Sequence, residues 1–360
     1  MASTNFIKPL KIGSFLCENN LMLAPMAGIT GLPFRAMCIE GGAGLVFGEM
    51  VSAAALKYKN KKSQKLLFTG KFPTAIQVFG SDSQSISIAA KDAEKSGAVI
   101  VDINAGCPVK KIVKSGAGIN LMKDEKLFAQ IIESAVKSVK IPVTVKIRIG
   151  IKKGEVLSVY GERSPEFIEG RSRTMSKGEI LSFSSKGENI GRSFARIAES
   201  EGASAVSVHA RYASSVHSGS ADLDALAKIT SSVKIPVIGN GGICDAGTAK
   251  EMFKTGCAGI MIGRGAIGFP DIFNYLKAEL SGKKGSELSE TPSTQYKLKT
   301  FTDLLGGNAD HYGEKSGLMR TKKVVGWWLK GFKGASALRA KFVLANDYDY
   351  AKTLLTNFSD

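Results

Sequence analysis

The sequence predicts an α/β fold, namely a (β/α)8 TIM barrel followed by a small C-terminal helical domain. Eight short apolar, β-branched runs alternate with helix-like segments over residues 15–282. Most runs begin about 22–30 residues apart, the spacing of β-loop-α-loop units whose strands pair in parallel. The chain after residue 282 has helical spacing instead. We therefore expect a barrel domain at 1–282 and a helical domain at 283–360.

The predicted strands are apolar on both faces, as parallel strands covered by helices require. Eight such units that close on themselves form a barrel of roughly 250 residues. In chain order the runs are LMLAPM from Leu21, LVFGEM from Leu45, AIQVFG from Ala75, VIVDIN from Val99, PVTVKIR from Pro142, AVSVHA from Ala205, PVIGNGG from Pro236 and AGIMIGR from Ala258.

The interval between the fifth and sixth runs is too long for one unit. The extra residues, about 151–190, are rich in Ser, Gly, Lys and Glu, so we expect an insertion on a βα loop. Its composition favours disorder or partial order over a fixed lid. The stretch SGKKGSELSETPSTQ from Ser281 is typical of a linker, and MRTKKVVGWWLKGF and DYAKTLLTNF after it have helical spacing. The paired tryptophans of that domain are expected in its core, with stacking on RNA as the alternative.

The net charge of +17 favours either a polyanionic partner or a general enrichment in lysine. The positions favour the partner, because residues 57–71 carry six lysines and no acidic residue, and Lys110, Lys111 and Lys114 follow Cys107. The N-terminus lacks a secretory signal and no apolar run approaches a membrane span of roughly 20 residues, so we expect a cytoplasmic protein with no membrane partner. Five cysteines without a CxxC pair and three histidines favour neither disulfides nor a metal site.

Polar side chains and glycine turns follow nearly every predicted strand, at the end of the barrel where TIM-barrel active sites lie. The loops GNGG and GRGA follow the last two strands, where such barrels bind phosphate through backbone N–H groups. The residues at the strand ends are Pro25, Met26, Ala27 and Gly28; Glu49 and Met50; Gln77; Asn104 and Cys107; Lys146 and Arg148; His209 and Arg211; Asn240, Gly241 and Gly242; and Gly263 and Arg264.

A phosphate site at the two glycine loops, together with Gln77 and Lys146 at the barrel mouth, suits flavin mononucleotide (FMN). The amide of Gln77 both donates and accepts hydrogen bonds, which matches the pyrimidine edge of the flavin ring. Lys146 would stabilise the negative charge of the reduced ring, and Arg264 would add a charge-assisted contact to the phosphate. A lysine within a barrel strand is itself a functional signal, with an outward-facing contact as the alternative.

Seven motifs resemble, in order and spacing, the tRNA dihydrouridine synthase family, and most of all its bacterial B-type subgroup. They are APMAGITGLPFR, AIQVFGSD, DINAGCPVKKIVKSGAG, VKIRIG, VHAR, IPVIGNGGI and GIMIGRGAIG. The C-terminal segment YGEKSGLMRTKKVVGWWLKGFKGASALR also resembles the helical RNA-binding domain of that subgroup. The resemblance covers nearly the whole chain.

The resemblance implies a reaction in which NADPH (or NADH) reduces FMN, and the flavin passes hydride to C6 of a uracil in tRNA. A cysteine protonates C5, and the matching residue is Cys107. Its thiol, with an ordinary pKa of roughly 8.5, is mostly protonated at neutral pH and can serve as the acid. A buried cysteine that only fills space is the alternative, and Cys38, Cys244 and Cys257 fit that role better.

The resemblance also assigns the other roles. Asn104 and Arg211 would contact the uracil, and the partner would be tRNA or another structured RNA, bound by a monomer. His209 would face the flavin or its phosphate, with a neutral histidine bonded to the backbone as the alternative. The residues that would hold FMN are Pro25, Met26, Ala27, Gln77, Lys146, His209, Asn240, Gly241, Gly242, Gly263 and Arg264.

Three departures from the family pattern concern RNA contacts rather than flavin groups. After VHAR the chain reads YASSVHSG, the usual Trp-Asp after KxRxG is Ile151-Lys152, and a usual histidine is Val324 or Val325. Two other functions therefore stay open: an FMN barrel oxidoreductase acting on a free pyrimidine, of the dihydroorotate dehydrogenase type, and a non-catalytic RNA-binding barrel. The basic helical tail argues against the first, since a small substrate needs no such appendage.

Overall fold

The computed structural model describes residues 5–153, 190–216, 218–281 and 291–358. Eight parallel strands close into a barrel in which each strand pairs with its neighbour along the chain and the last pairs with the first. The predicted TIM barrel is confirmed. The barrel strands are β3 (Leu21–Leu23), β4 (Leu45–Phe47), β6 (Thr74–Phe79), β7 (Ile100–Asn104), β8 (Val143–Arg148), β9 (Ala205–His209), β10 (Val237–Asn240) and β11 (Gly259–Ile262).

Three further strands were not predicted. β1 (Leu10–Ile12) and β2 (Phe15–Cys17) form an antiparallel hairpin, and β5 (Val51–Ser52) pairs with β6. The side chains of Leu10 and Ile12 in the hairpin pack in one buried apolar cluster with residues of the barrel strands. Apolar packing therefore fills the N-terminal end of the barrel and leaves its polar residues at the opposite end.

Helices surround the barrel, and the longer ones bury an apolar stripe against the strands. In the helix that begins at Ser83, for example, Ile86, Ala89, Ala90 and Ala93 are buried, and Asp82 caps the first turn by accepting from the Ser85 N–H. The helices of this layer are α1 (Leu32–Glu40), α2 (Ala53–Lys57), α3 (Lys61–Gln64), α4 (Ser83–Lys95), α5 (Lys110–Lys114), α6 (Glu125–Ser138), α7 (Ile190–Ser200), α8 (Leu223–Thr230), α9 (Ala246–Lys254) and α10 (Ile272–Leu280).

The predicted C-terminal helices are present. They are α11 (Thr294–Tyr312), α12 (Glu314–Lys322), α13 (Val325–Trp328), α14 (Ala335–Leu344) and α15 (Tyr348–Thr356). Most of the predicted linker from Ser281, namely residues 282–290, and most of the predicted insertion, residues 154–189, lie outside the described residues. The last two residues of the predicted linker, Thr294 and Gln295, already belong to α11.

The helical domain shares its core with the barrel. Trp328 of α13 packs edge-to-face on Phe34 of α1, with ring centroids 5.7 Å apart. The Tyr296 hydroxyl of α11 donates to Asp271 Oδ2 at 2.6 Å. A Cβ on Gly268 would come within 2.8 Å of the Trp327 carbonyl oxygen, so glycine permits this close approach. The two parts are thus packed together.

In the part of the chain that the structure describes, no helix is long and apolar enough to cross a membrane.

Candidate active site

A cavity of about 1010 Å³ opens at the C-terminal ends of the barrel strands. Every residue that the sequence predicted for the site lines this cavity: Pro25, Met26, Ala27, Gln77, Asn104, Cys107, Lys146, His209, Arg211, Asn240, Gly241, Gly242, Gly263 and Arg264. The helical domain forms another part of the wall with Pro292, Lys297, Trp327 and Lys330. The volume lies at the upper end of the roughly 300–1,000 Å³ typical of ligand sites, which allows two ligands to share the cavity.

The loop that carries Cys107 is held by Asn104 at the end of β7. Asn104 Oδ1 accepts from the backbone N–H of Gly106 at 3.2 Å and of Cys107 at 3.0 Å, an arrangement in which asparagine fixes the turn after it. The Cys107 carbonyl accepts from the Ile119 N–H at 3.0 Å. Gly118 has a φ of +63°, and a Cβ there would meet that carbonyl at 2.6 Å, so this crossing requires glycine.

The Cys107 thiol is partly buried, and burial raises its pKa. The Val109 N–H and the charges of Arg148 and Lys146 oppose that shift without reversing it. The lysines that follow Cys107 in the sequence are not among the groups that shift this pKa. Lys110, Lys111 and Lys114 lie on the exposed surface of α5. At neutral pH the sulfur therefore keeps its proton and can act as an acid.

At the floor of the cavity, four side chains form a hydrogen-bonded network, in which Gln77 and Asn104 line the cavity and Asp102 is fully buried. Gln77 Nε2 donates to Asp102 Oδ2 at 2.7 Å, Thr144 Oγ1 donates to Asp102 Oδ1 at 2.6 Å, and Asn104 Nδ2 donates to Gln77 Oε1 at 2.8 Å. Asp102 is 0% exposed, and burial raises its pKa to about 6, although both hydrogen bonds and the charge of Lys146 oppose the shift. Asp102 thus fixes which end of the Gln77 amide faces which partner.

Asn104 retains one hydrogen-bond donor for a ligand. Its Nδ2 carries two N–H groups, of which one binds Gln77 and the other faces Met50 Sδ at 3.7 Å. A thioether is a weak acceptor, so a ligand oxygen would displace that contact at little cost. The structure therefore leaves the predicted uracil contact available to Asn104.

Lys146 lies inside the barrel, so its outward-facing alternative is excluded. Its Nζ donates to Asn240 Oδ1 at 2.9 Å, and Asn240 Nδ2 donates in turn to the Met261 carbonyl at 2.7 Å. Burial, followed by the charge of Arg148, lowers the pKa of Lys146 to about 8, against the opposing charges of Asp102 and Cys107. The ammonium thus lines the cavity with a neutral amide as its hydrogen-bond acceptor, and an anionic ligand would stabilise it.

Arg148 connects the loops on either side of β8. Its guanidinium donates from Nε to the Gly106 carbonyl at 2.9 Å, from Nη1 to Tyr212 at 3.0 Å and from Nη2 to Val216 at 2.9 Å. Burial lowers its pKa to about 10, so it stays charged at neutral pH. Arg148 therefore fixes the Cys107 loop and places a positive charge near the sulfur. Of the loop that departs from the family pattern, His217 lies outside the described residues.

The glycine loop after β10 packs against His209 and Arg211. Gly241 and Gly242 have φ values of +125° and +78°. A Cβ on Gly241 would lie 3.0 Å from His209 Cδ2, and one on Gly242 would lie 3.4 Å from Arg211 Nη2. Arg211 Nη1 lies 3.3 Å from His209 Nε2 and Arg211 Nε donates to the Gly219 carbonyl at 3.0 Å. Arg211 Nη1 can only donate, so a hydrogen bond between these two atoms requires His209 Nε2 to accept.

The two glycine loops predicted to bind phosphate lie side by side. A Cβ on Gly265 would lie 2.3 Å from the Ile243 carbonyl oxygen. The loops after β10 and β11 therefore contact each other at a position where only glycine fits. Burial lowers the pKa of Arg211, and the charge of Arg264, which is exposed on this rim, lowers it further. The corner thus offers backbone N–H groups and two guanidinium groups.

Two sequence predictions are corrected. Cys244, expected to be a buried space-filling residue like Cys38 and Cys257, is exposed and lines the cavity, because it precedes the N-cap Asp245 on the barrel rim. The tryptophans were expected in the helical core together, but only Trp328 lies there, 0% exposed, while Trp327 is partly buried and lines the cavity.

Sequence reasoning missed Asp102 and Thr144 and left Arg148 without a role. Signals for two of them were available. Asp102 and Asn104 are two residues apart on one strand and so face the same side, and an acidic residue in a buried strand requires a partner. Arg148 likewise lies two residues after Lys146 on one strand, so both side chains face the same side. The cavity-lining Lys297 and Lys330 had no such signal, since their position depends on how the helical domain packs.

Comparisons with known proteins agree with the fold and the motifs. The family described as "Dihydrouridine synthase (Dus)" matches residues 22–160 and 186–359. A relative from Rickettsia conorii, "Probable tRNA-dihydrouridine synthase", is 35% identical over 353 residues, covering 97% of this chain and 96% of the relative. "tRNA-dihydrouridine synthase B" of Pseudomonas putida is 33% identical over 341 residues, covering 94% of this chain and 90% of the relative.

A solved structure with the same fold is described as "Crystal structure of TcOYE with pHBA". It superposes with a TM-score of 0.51 and 11% sequence identity, covering 77% of this chain and 93% of that chain. At this identity the likeness concerns the barrel architecture alone.

Proposed function

Because the chain belongs to the dihydrouridine synthase family, we propose that it reduces specific uridines of tRNA to 5,6-dihydrouridine, with FMN as cofactor and NADPH (or NADH) as reductant. Relatives that are 33–35% identical over nearly the whole chain carry the name tRNA-dihydrouridine synthase. The observation that carries the proposal is the partly buried Cys107 thiol in one cavity with Gln77, Lys146 and the two glycine loops.

The residues present fit FMN. The left-handed Gly241 and Gly242 leave the space that a Cβ would fill, and Arg264 on the same rim supplies a positive charge, as a phosphate site requires. Gln77, oriented by Asp102, would bind the pyrimidine edge of the flavin ring, and Lys146 would lie near its negative charge. The residues that would hold the cofactor are Pro25, Met26, Ala27, Gln77, Lys146, His209, Asn240, Gly241, Gly242, Gly263 and Arg264.

Bound FMN, kept reduced by the nicotinamide nucleotide, would supply the hydride that the uracil ring takes up at C6. The carbon C5 then needs a proton, and the Cys107 Sγ–H, whose pKa burial keeps raised, is the group placed to give it. The charges of Arg148 and Lys146 would stabilise the thiolate that remains until solvent returns the proton. Asn104 and Arg211 would orient the uracil through the N–H groups that the protein leaves available.

Exposed lysines on the barrel rim support an RNA as the molecule that contains the reduced uridine. Lys59, Lys61, Lys62 and Lys65 are exposed near α2 and α3, and residues 51–81 contain no acidic side chain. The three lysines of α5 lie on the neighbouring rim, because Ser81 Oγ donates to the Ser115 carbonyl at 2.8 Å and so joins the two segments. Two exposed groups of lysines on neighbouring parts of one rim favour a nucleic-acid backbone as the partner.

The helical segment supports tRNA over a free pyrimidine. Residues 283–360 would form the RNA-binding domain and 1–282 the FMN-binding barrel, and the helical part supplies one wall of the cavity. A free base would need no basic wall outside the barrel. The comparisons favour the same substrate, since the relatives are named for tRNA.

The test is reduction of an unmodified tRNA transcript by the purified protein with NADPH, followed by mass spectrometry of the nucleosides. We expect yellow protein with flavin absorbance and dihydrouridine that depends on NADPH. Mapping of dihydrouridine in RNA from cells with and without the gene would then identify the position. Flavin-free protein, or a transcript that stays unreduced while free uracil or orotate chemistry proceeds, would contradict the proposal.

A further inference from the structure

The side chains on the cavity floor form a hydrogen-bonded chain in which every bond points the same way. The N–H groups of Gly106 and Cys107 donate to Asn104 Oδ1 at 3.2 and 3.0 Å. Asn104 Nδ2 donates to Gln77 Oε1 at 2.8 Å, and Gln77 Nε2 donates to Asp102 Oδ2 at 2.7 Å. Resting on the proposed function, we propose that Asp102 is a positioning residue for substrate selection, because it holds this chain in the direction that accepts uracil and rejects cytosine.

Both ends of the chain impose its direction. A backbone N–H can only donate, so the turn after Asn104 requires the Asn104 oxygen to face it. An ionised carboxylate can only accept, and the two oxygens of Asp102 accept from Gln77 and from Thr144 Oγ1 at 2.6 Å. Reversing the two amides would set the Gln77 oxygen against Asp102 Oδ2. Asp102 is fully buried, so no water would relieve that contact.

The direction of the chain determines what Asn104 offers to a base. Its oxygen already accepts twice from the turn, and one N–H of its Nδ2 binds Gln77. The group that remains is the second N–H, which faces the weak acceptor Met50 Sδ at 3.7 Å. Asn104 therefore presents a donor to the cavity, and a base that binds there must present an acceptor.

The Cys107 thiol indicates which atom of the base meets that donor. The turn bound by Asn104 carries this thiol, which is proposed to protonate C5, and C4, bonded to C5, carries the oxygen O4 in uracil. Cytosine carries an amino group on C4, so a donor would face a donor, whereas O2 is common to both bases and lies across the ring. Hydride uptake at C6 also moves negative charge onto O4 before C5 is protonated, and an N–H at O4 stabilises that charge.

The alternative role for Asp102 is that of a counter-charge for Lys146. The positive charge of Lys146 does oppose the rise in the pKa of Asp102. The hydrogen bonds of the carboxylate nevertheless go to Gln77 and Thr144, and the Lys146 ammonium donates to Asn240. These contacts favour control of the amide direction over neutralisation of a charge.

The experiment uses the flavin-loaded protein and two tRNA transcripts, with uridine or cytidine at the position that the wild-type protein reduces. The measured quantity is the ratio of the two affinities. The wild type should favour uridine by roughly 10- to 100-fold, the range for leaving a buried polar group without a partner. Asp102→Asn has the same size and bonds to Gln77 in either direction, so it should keep its flavin but lower the ratio by about fivefold or more.

The matched control is Thr144→Val. It removes the other hydrogen bond of Asp102 in the same buried network, but Asp102 still accepts from Gln77. Its free energy of unfolding should fall, whereas the ratio for uridine over cytidine should stay at the wild-type value. A role of Asp102 in packing alone would instead lower the ratio in both variants.

The pH dependence of the ratio is a second measurement, which needs no variant. A protonated Asp102 carries an O–H that can donate to Gln77, so it no longer imposes the direction. Burial raises the pKa of Asp102 to about 6, so the wild-type ratio should fall as the pH drops from about 7 to about 5. Lys146, whose pKa is about 8, stays charged in this interval, and Gln77 and Thr144 do not titrate. The ratio in Asp102→Asn should not change with pH.

Three results would overturn the proposal: a wild-type ratio in Asp102→Asn, an equal loss in Thr144→Val, or a wild-type ratio that stays constant as Asp102 titrates. If Asp102→Asn does not fold, the pH profile of the wild type decides the question. Failure of the proposed function is a separate result, namely wild-type protein that yields no dihydrouridine from tRNA.

Discussion

On the barrel side of the cavity, buried polar groups bind one another. Asp102 accepts from Gln77 and Thr144, Asn104 binds Gln77, and each distance lies between 2.6 and 2.8 Å. On the helical side, the exposed Lys330 and the partly buried Trp327 line the cavity, and Lys297 Nζ donates to the Lys330 carbonyl at 2.9 Å. A hydrogen-bonded network fixes the positions of its side chains, whereas an exposed side chain stays available to a ligand. The comparison shows that the barrel wall holds its polar side chains in fixed positions, whereas the helical wall presents cationic side chains to the cavity.

The two walls meet at Glu49. Its Oε2 accepts from the Gly28 N–H at 2.5 Å, and its Oε1 accepts from Arg320 Nη1 of α12 at 2.8 Å. Arg320 also lies over the Tyr312 ring, 4.0 Å from its centroid. One carboxylate therefore joins the turn after β3 to the helical domain, so that the position of each wall depends on the other.

The largest effect is expected at Cys107. If the barrel wall performs the chemistry, Cys107→Ala should lower tRNA reduction by about 10²- to 10⁴-fold, the usual contribution of a positioned acid. Flavin content and flavin reduction by NADPH should stay normal, because the sulfur does not hold the proposed cofactor. Cys244→Ala, in another cysteine of the same cavity, is the control. Loss of flavin in the Cys107 variant would instead assign the thiol a structural role.

The next effect concerns how the free energy of unfolding depends on pH through the buried carboxyl of Asp102. Folding raises the pKa of Asp102 to about 6, above its usual value near 3.8, so the ionised carboxylate is less favoured in the folded state. Stability relative to Asp102→Asn is therefore greatest below about pH 4, falls as the pH rises through 6 and levels off near 7. Two pKa units set an upper limit of about 3 kcal/mol.

Urea unfolding at successive pH values would measure this difference. The exposed Asp310→Asn on α11 serves as the control for the loss of a surface carboxylate. A flat profile for Asp102→Asn would mean that folding does not change the pKa of Asp102.

A smaller effect is expected at Lys146. Removing the ammonium in Lys146→Ala should weaken flavin binding by about 10- to 100-fold, the range for a hydrogen bond to a charged group, and slow flavin reduction. Flavin fluorescence on titration would measure it. Lys140→Ala, exposed before the same strand at the other end of the barrel, is the matched control. Equal flavin affinity in both variants would refute the proposed role.

The smallest effect is expected at the junction of the two walls. A double-mutant cycle on Glu49→Gln and Arg320→Gln should give a coupling energy of about 1 kcal/mol, because side-chain exposures of 9% and 24% shield the pair from water. The exposed pair of Glu133 and Lys137 on α6 should couple by less than about 0.5 kcal/mol. Equal coupling in the two cycles would show that Glu49 does not join the walls.

The sequence by itself determined the barrel and most of the site. The eight runs predicted all eight barrel strands, because a buried parallel strand must be apolar on both faces and its crossover has a minimum length. Since the carboxyl ends of parallel strands share one rim, residues as distant as Gln77 and Arg264 were placed together, and both line the cavity. This inference needs only chain direction and strand order.

The tertiary structure decided what depends on packing between elements. Trp327 and Trp328 are identical and adjacent, and only the approach of α13 to Phe34 and Gly268 buries one ring and leaves the other at the cavity. Asp102 acquired its role from Gln77 and Thr144 on the two strands that flank β7, and Glu49 acquired its role from a helix 271 residues later. Side-chain partners of this kind are set by three-dimensional distances, which local periodicity does not encode.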